Sequence, residues 1–170
     1  IIHIIPKVLN GAVLTCLEAV KEVEDNKPII FNDCDHMFKS NEFNKFCSRG
    51  EFSTIDAALL TFKSNEDKYG YVQLNKDRKV CATAEKIAIS EYAICGAYYF
   101  KNAEIFVRAA QDYLRMCDYQ EFYMSAVYNV MVSEKNNIVI FDTDYHLPFG
   151  IPEEYEKAKE SERFNELLWP

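Results

Sequence analysis

Ile29-Ile30-Phe31 breaks off abruptly into Asn32-Asp33-Cys34-Asp35-His36, and that junction leaves few architectures open. A short β-branched and aromatic run is a strand covered on both faces, and two carboxylates at its end cannot follow it into a core. In open α/β sheets, ligands bind outside the carboxyl ends of strands, where strand order reverses. The junction therefore predicts both a layered α/β fold and the place where its chemistry would sit.

The flanking sequence extends this pattern. Ile1–Ile5 reads as another buried strand. Asn10 is suited to cap a helix in which Val13, Leu14, Leu17 and Val20 recur at helical spacing, with Lys21 and Glu22 on the polar face. Asp25-Asn26-Lys27-Pro28 is turn material, so Ile1 to Phe31 forms a strand–helix–strand unit with an expected right-handed crossover and parallel pairing. A short helix is predicted at Ser40–Phe46 and a buried strand at Ile55–Phe62. Tyr69–Leu74 and Lys79–Ala84 alternate around the turn Asn75-Lys76-Asp77, with Ile94–Phe100 as a third strand. Helices follow at Ala103–Cys117 and Glu121–Val132, then a strand at Ile138–Asp142. Pro152 opens a terminal helix running to about Leu168. Without repeats or linkers, residues 1–170 are expected to form a single α/β domain. Its sheet is Rossmann-like, mixed and mostly parallel, flanked by helices and carrying a small antiparallel β insert.

The net charge of −8 supplies no basic stripe for releasing counterions from a nucleic acid. It leaves room for a small phosphorylated substrate, because a bound divalent ion can dominate the local field. No apolar run approaches the length of a membrane span. Six scattered cysteines without a Cys-x-x-Cys pair suggest neither a zinc site nor a disulfide framework, and they suit a reducing cytoplasm.

Four constellations could carry chemistry. Asp33 and Asp35 can hold Mg2+ while phosphates and water complete its octahedron, or they cap a turn and face solvent. Glu85-Lys86 ends a strand, either placing a cation on a phosphate or forming an exposed ion pair. Gly96 inside a buried strand marks a bulge or a close approach to ligand. Glu121 can accept hydrogen bonds from substrate hydroxyls or complement a helix dipole. His36 and His146 flank candidate loops without zinc spacing, and no Gly-x-Ser-x-Gly elbow is present.

The order of these signals resembles the sugar-phosphate nucleotidyltransferases, which have a glycosyltransferase A-type fold. The resemblance runs through Asn10–Thr15, Ile29–Asp35, Glu85-Lys86, Ala93–Phe100, Glu121–Asn129 and Gly150-Ile151-Pro152-Glu153-Glu154. It implies a Mg2+ enzyme that transfers a nucleotidyl group from an NTP to a sugar phosphate or related phosphorylated head group, such as phosphocholine, and releases pyrophosphate. Gly11 and Ala12 would lie near the base, with Asp33 also on the nucleotide side. Asp35 and Asp33 would hold the metal, and Lys86 would contact the acceptor phosphate. Glu85, Gly96 and Glu121 would contact the acceptor's sugar or sugar-like part.

Two departures stand out. None of the five glycines forms the Gly-rich loop that cradles a triphosphate in this family. The chain is therefore expected to be N-terminally truncated relative to its relatives, with the loop supplied by a missing segment or an oligomeric partner. Whether it acts alone stays open. Pro148 stands where many relatives carry a second metal-binding Asp, so either another acid such as Asp142 or Asp144 substitutes or the second metal contact is missing. The alternatives are an A-type-fold glycosyltransferase using a nucleotide-sugar, and a non-catalytic nucleotide-sugar-binding module.

Overall fold

A computed structural model describes residues 2–24, 26–116 and 121–164. Helix α1 (Ala12–Ala19) and a short 3-10 turn (Val20–Glu22) lead into strand β1 (Ile29–Asn32). Strand β2 (His36–Lys39) and helix α2 (Asn41–Arg49) follow, then strands β3 (Ala57–Lys63), β4 (Gly70–Leu74), β5 (Val80–Glu85) and β6 (Tyr92–Phe100). Helices α3 (Ala103–Met116) and α4 (Met124–Ser133) come next. The described chain closes with strands β7 (Ile138–Asp142) and β8 (Tyr145–Pro148), helix α5 (Pro152–Lys159) and a helical turn at 162–164.

Five strands form a sheet in the order β5-β4-β6-β3-β7, and β1 adds to it through antiparallel pairing with β6. β3 and β7 are parallel, whereas β6 runs against β1, β3 and β4. Strands β1, β3, β4 and β7 thus point one way and β5 and β6 the other, giving a mixed, mostly parallel α/β sheet. The β4–β5 hairpin is the expected antiparallel insert. A separate two-stranded antiparallel sheet joins β2 to β8.

Helices cover both faces, which is why β3 reads as a continuous apolar run. Its alternate residues diverge: Ala57 and Leu59 join the core under α1, α3 and α4, while Ala58 and Leu60 join a cluster with Phe43 and Phe46 of α2. On α3, Phe106, Ala109, Ala110 and Tyr113 recur at helical spacing and are buried. Tyr128 of α4 is fully buried, and its hydroxyl donates to Ala58 O (3.0 Å) and Tyr99 O (3.2 Å), tying helix to sheet.

Several expectations need correction. Residues 2–5 form no strand, and Ile2 and Ile4 are 91% and 82% exposed. Ile1 lies outside the described residues. β1 pairs antiparallel with β6, so the expected parallel unit from Ile1 to Phe31 is not formed. A β-branched run has only a preference; the ladder must come from a neighbouring strand, and none pairs with residues 2–5 among the described residues. Gly11, not Asn10, occupies the N-cap of α1. The predicted helix at Glu121 begins at Met124, because Phe122 N–H donates to Asn10 O (3.0 Å) and Phe122 O accepts from Val13 N–H (3.3 Å). That pairing holds the connection extended against the start of α1. α5 does open on Pro152, while Cys117 and Leu168, the predicted ends of two helices, lie outside the described residues.

Candidate active site

The turn after β1 is pinned from both sides. Asp33 N–H donates to Gly96 O (2.9 Å), extending the β1–β6 ladder, and Asp35 O accepts from Phe149 N–H (2.8 Å). β2 and β8 continue that second attachment by setting His36 opposite Pro148. The two carboxylates consequently open into one pocket of about 310 Å³, together with His36, Glu85, Gly96, His146, Gly150 and Glu154.

Gly96 sits where β6 shifts register against β3, with φ of +77°. A Cβ there would collide with His36 Cε1 and fall 2.5 Å from Asp33 Oδ2. Gly96 thus forms the bulge, and the bulge lets the Asp33 and His36 side chains close over the backbone. A Cβ on Gly150 would likewise lie 2.5 Å from Asp35 Oδ2. At the end of β5, Glu85 Oε2 accepts from Ser125 Oγ (2.7 Å) and rests against Gly70.

The field in the pocket is unbalanced. Desolvation, then the charges of Asp35 and Glu85, push the Asp33 carboxyl up to about 6. Burial also raises Glu85. Desolvation lowers His36, and with help from His36 it lowers His146 to about 4, so both imidazoles are neutral near pH 7. His146 stacks on Phe62 at 4.0 Å, and Nε2 of each histidine has no hydrogen-bond partner.

Other residues named from sequence fall elsewhere. Lys86 Nζ donates to Tyr123 Oη (3.1 Å), which donates to Glu121 Oε2 (2.5 Å). This chain borders a neighbouring pocket of about 360 Å³ that shares Glu85 as a wall. Glu121 precedes α4 by three residues and is not in its first turn. Gly11, with φ of +108°, packs against the Phe122 backbone and lines none of these pockets, nor does Ala12. Asp142 and Asp144 are both committed to other partners: Asp142 Oδ1 accepts from Thr61 Oγ1 (2.9 Å), and Asp144 Oδ2 from Asn41 N–H (2.7 Å). Neither lines the Asp33–Asp35 pocket, whereas Pro148 does.

Lys68, Tyr69, Gly70 and Tyr98 also line this pocket and were missed in the sequence. Gly70, opening a strand, was the available signal; Lys68, ion-paired with Glu154 at 2.8 Å, had none. Among the described residues, no three His, Cys, Asp or Glu side chains gather into a metal cluster. Two carboxylates facing a polar pocket still fit Mg2+, which uses few protein ligands and leaves its other positions to water and phosphate. No helix among the described residues is long and apolar enough to cross a membrane.

The sequence model of the nucleotidyl transferase family matches residues 6–163. Among solved structures, the chain is similar to the nucleoside-diphosphate-sugar pyrophosphorylase from Vibrio cholerae RC9, with a TM-score of 0.73 and 21% identity. That likeness covers 89% of this chain and 65% of the other. It is also similar to a Bacillus anthracis protein assigned as a glucose-1-phosphate thymidylyltransferase, in complex with a sucrose. There the TM-score is 0.68 and the identity 15%, over 94% of this chain and 67% of that one. At such identities the likeness concerns the fold, and the chain spans about two thirds of each structure. No curated protein matches it. The family match covers most of the sequence, and the chain belongs to the nucleotidyl transferase family.

Proposed function

We propose that this chain provides the acceptor and metal side of a nucleotidyltransferase that joins an NTP to a phosphorylated small molecule. The observation that carries the reading is the convergence of Asp33, Asp35, Glu85 and Gly96, from three separate strands and their ends, on one pocket. Asp35 and Asp33 would hold Mg2+. Bound there, Mg2+ supplies charge neutralisation and a template for in-line displacement at phosphorus.

In the reaction, an oxygen of the acceptor phosphate attacks the α-phosphorus of the NTP. The α–β bridging bond breaks, and its electron pair leaves with pyrophosphate. No protein nucleophile or redox partner is needed; positioning and charge stabilisation do the catalytic work. Gly96 serves the acceptor side by letting Asp33 and His36 close over its backbone and shape the pocket, and Glu85 accepts hydrogen bonds from the acceptor. Lys86 would contact the acceptor phosphate after releasing Tyr123, a rotation about its own side chain. Gly11 and Ala12 are assigned to the base side, and Glu121 to the acceptor through Tyr123. The shared length of about two thirds with the solved structures is compatible with further nucleotide contacts from outside this chain. A cytoplasmic setting accords with the nucleotide substrates this reading requires.

Pro148 favours one rival, a module that binds nucleotide-sugar without turnover. Release of pyrophosphate from an NTP, dependent on both Mg2+ and a phosphorylated acceptor, is the deciding assay. Acceptor-dependent release would support nucleotidyl transfer. Binding of a preformed nucleotide-sugar, with no release under any pairing, would support the rival.

A further inference from the structure

We infer that Glu154 is a positioning residue: bonded to Lys68 and to the turn at Gly150, it sets the direction of the Asp35 carboxylate. This rests on the Mg2+ reading above and adds the group that orients one of its ligands.

The Asp35 side chain is 60% exposed, and its carboxylate accepts no hydrogen bond among the described residues; His36 Nδ1 stands 3.9 Å from Oδ1, too far for one. What limits the carboxylate is Gly150. The backbone there comes so close that a Cβ would fall 2.5 Å from Asp35 Oδ2. Beside it, Phe149 N–H donates to Asp35 O (2.8 Å), so the main chain and the carboxylate of Asp35 both rest on residues 149–150. A carboxylate with no bond of its own takes its direction from that wall.

Glu154 in turn fixes the wall. Ile151 occupies the N-cap of α5, and its aliphatic side chain makes no cap bond. Glu154, three residues on, reaches back instead: Oε2 accepts from Gly150 N–H (3.2 Å), while Oε1 accepts from Lys68 Nζ (2.8 Å), two residues before β4. Burial works against its charge, yet bonds from Lys68 and from the N–H groups of Gly150 and Ile151 hold the Glu154 carboxyl below the usual range. Lys68 is also held by Glu66 at 3.0 Å. With its side chain only 16% exposed, Glu154 is better shielded than the ordinary surface ion pair, whose geometry is loose. One oxygen thus anchors it across the pocket mouth while the other holds the turn that Asp35 leans on. Outer partners of this kind orient a metal ligand without touching the metal.

The test makes two measurements on the intact chain: hydrogen exchange at Phe149 N–H, which is bonded to Asp35 O, and calorimetric affinity for Mg2+ alone. Glu154→Ala should speed the exchange and weaken Mg2+ binding, each by at least about tenfold. Glu154→Gln removes the charge but keeps an oxygen for Gly150 N–H, and it should hold both values within about threefold of the unsubstituted chain. Equal losses of Mg2+ affinity in the two variants would mark an effect of charge and overturn the positioning role. Unchanged Mg2+ affinity in Glu154→Ala would overturn the inference and leave the metal reading standing. An unsubstituted chain that binds no Mg2+ would overturn the metal reading and the inference with it.

Discussion

At Gly96 a single backbone angle links fold to site. The φ of +77° and the crowding by His36 and Asp33 leave no room for a side chain, so Gly96→Ala should destabilise the chain by about 3 kcal/mol in urea unfolding. The glycine was legible as a bulge in the sequence; the side chains closing over it were not, because they come from a loop some 60 residues away. Asp33 gives a second prediction. Its carboxyl is raised from 3.8 to about 6, so below about pH 4 it is protonated in folded and unfolded chains alike and costs nothing. As pH rises from about 4 to about 6, the unfolded chain loses the proton first and stability falls; above about 6 the whole cost is present. With a chelator in the buffer, Asp33→Asn should therefore stabilise the chain at pH 7.5, by about 1 kcal/mol after discounting for solvent screening of this partly open carboxylate. The gain should vanish at about pH 4. Equal unfolding midpoints for both proteins at pH 7.5 would contradict the account.

Among the elements, α2 shows how one side chain can fix two pieces. Ser40 accepts from Phe43 N–H (3.3 Å) as the helix cap, and its hydroxyl donates to Asp142 O (2.8 Å) at the end of β7. Ser40→Ala should cost about 1–2 kcal/mol, measured as a lowered denaturation midpoint with the slope unchanged. This helix was readable because Ser40 supplies the cap and Phe43 and Phe46 the buried face. β3 through β7 were likewise readable from their apolar runs and turns. β2 and β8 were not. Each has four residues without clear alternation, and their partners are more than 100 residues apart, so only the folded chain joins His36 to Pro148. The reverse error occurred at Ile1–Ile5, where composition signalled a strand but no ladder includes residues 2–5.

Over the whole molecule, the layered α/β class and the mixed sheet followed from local pattern, because every buried segment advertises its own period. The candidate site was only half legible. Asp33, Asp35, Glu85 and Gly96 meet at one pocket, since each stands in or at the end of a sheet strand. Lys86, Glu121, Gly11 and Ala12 do not line it, because sequence order gives no side-chain direction: Lys86 follows Glu85 with φ of +57° and turns into the next pocket. The central claim is that Asp33 and Asp35 form a Mg2+ site for a nucleotide reaction. Calorimetric titration of Mg2+ with CTP, UTP and dTTP into this chain and its Asp35→Ala variant tests that claim most directly. Metal-dependent binding of one nucleotide, weakened at least about tenfold in the variant, is the expected result. Nucleotide binding that ignores both Mg2+ and the substitution would contradict the account.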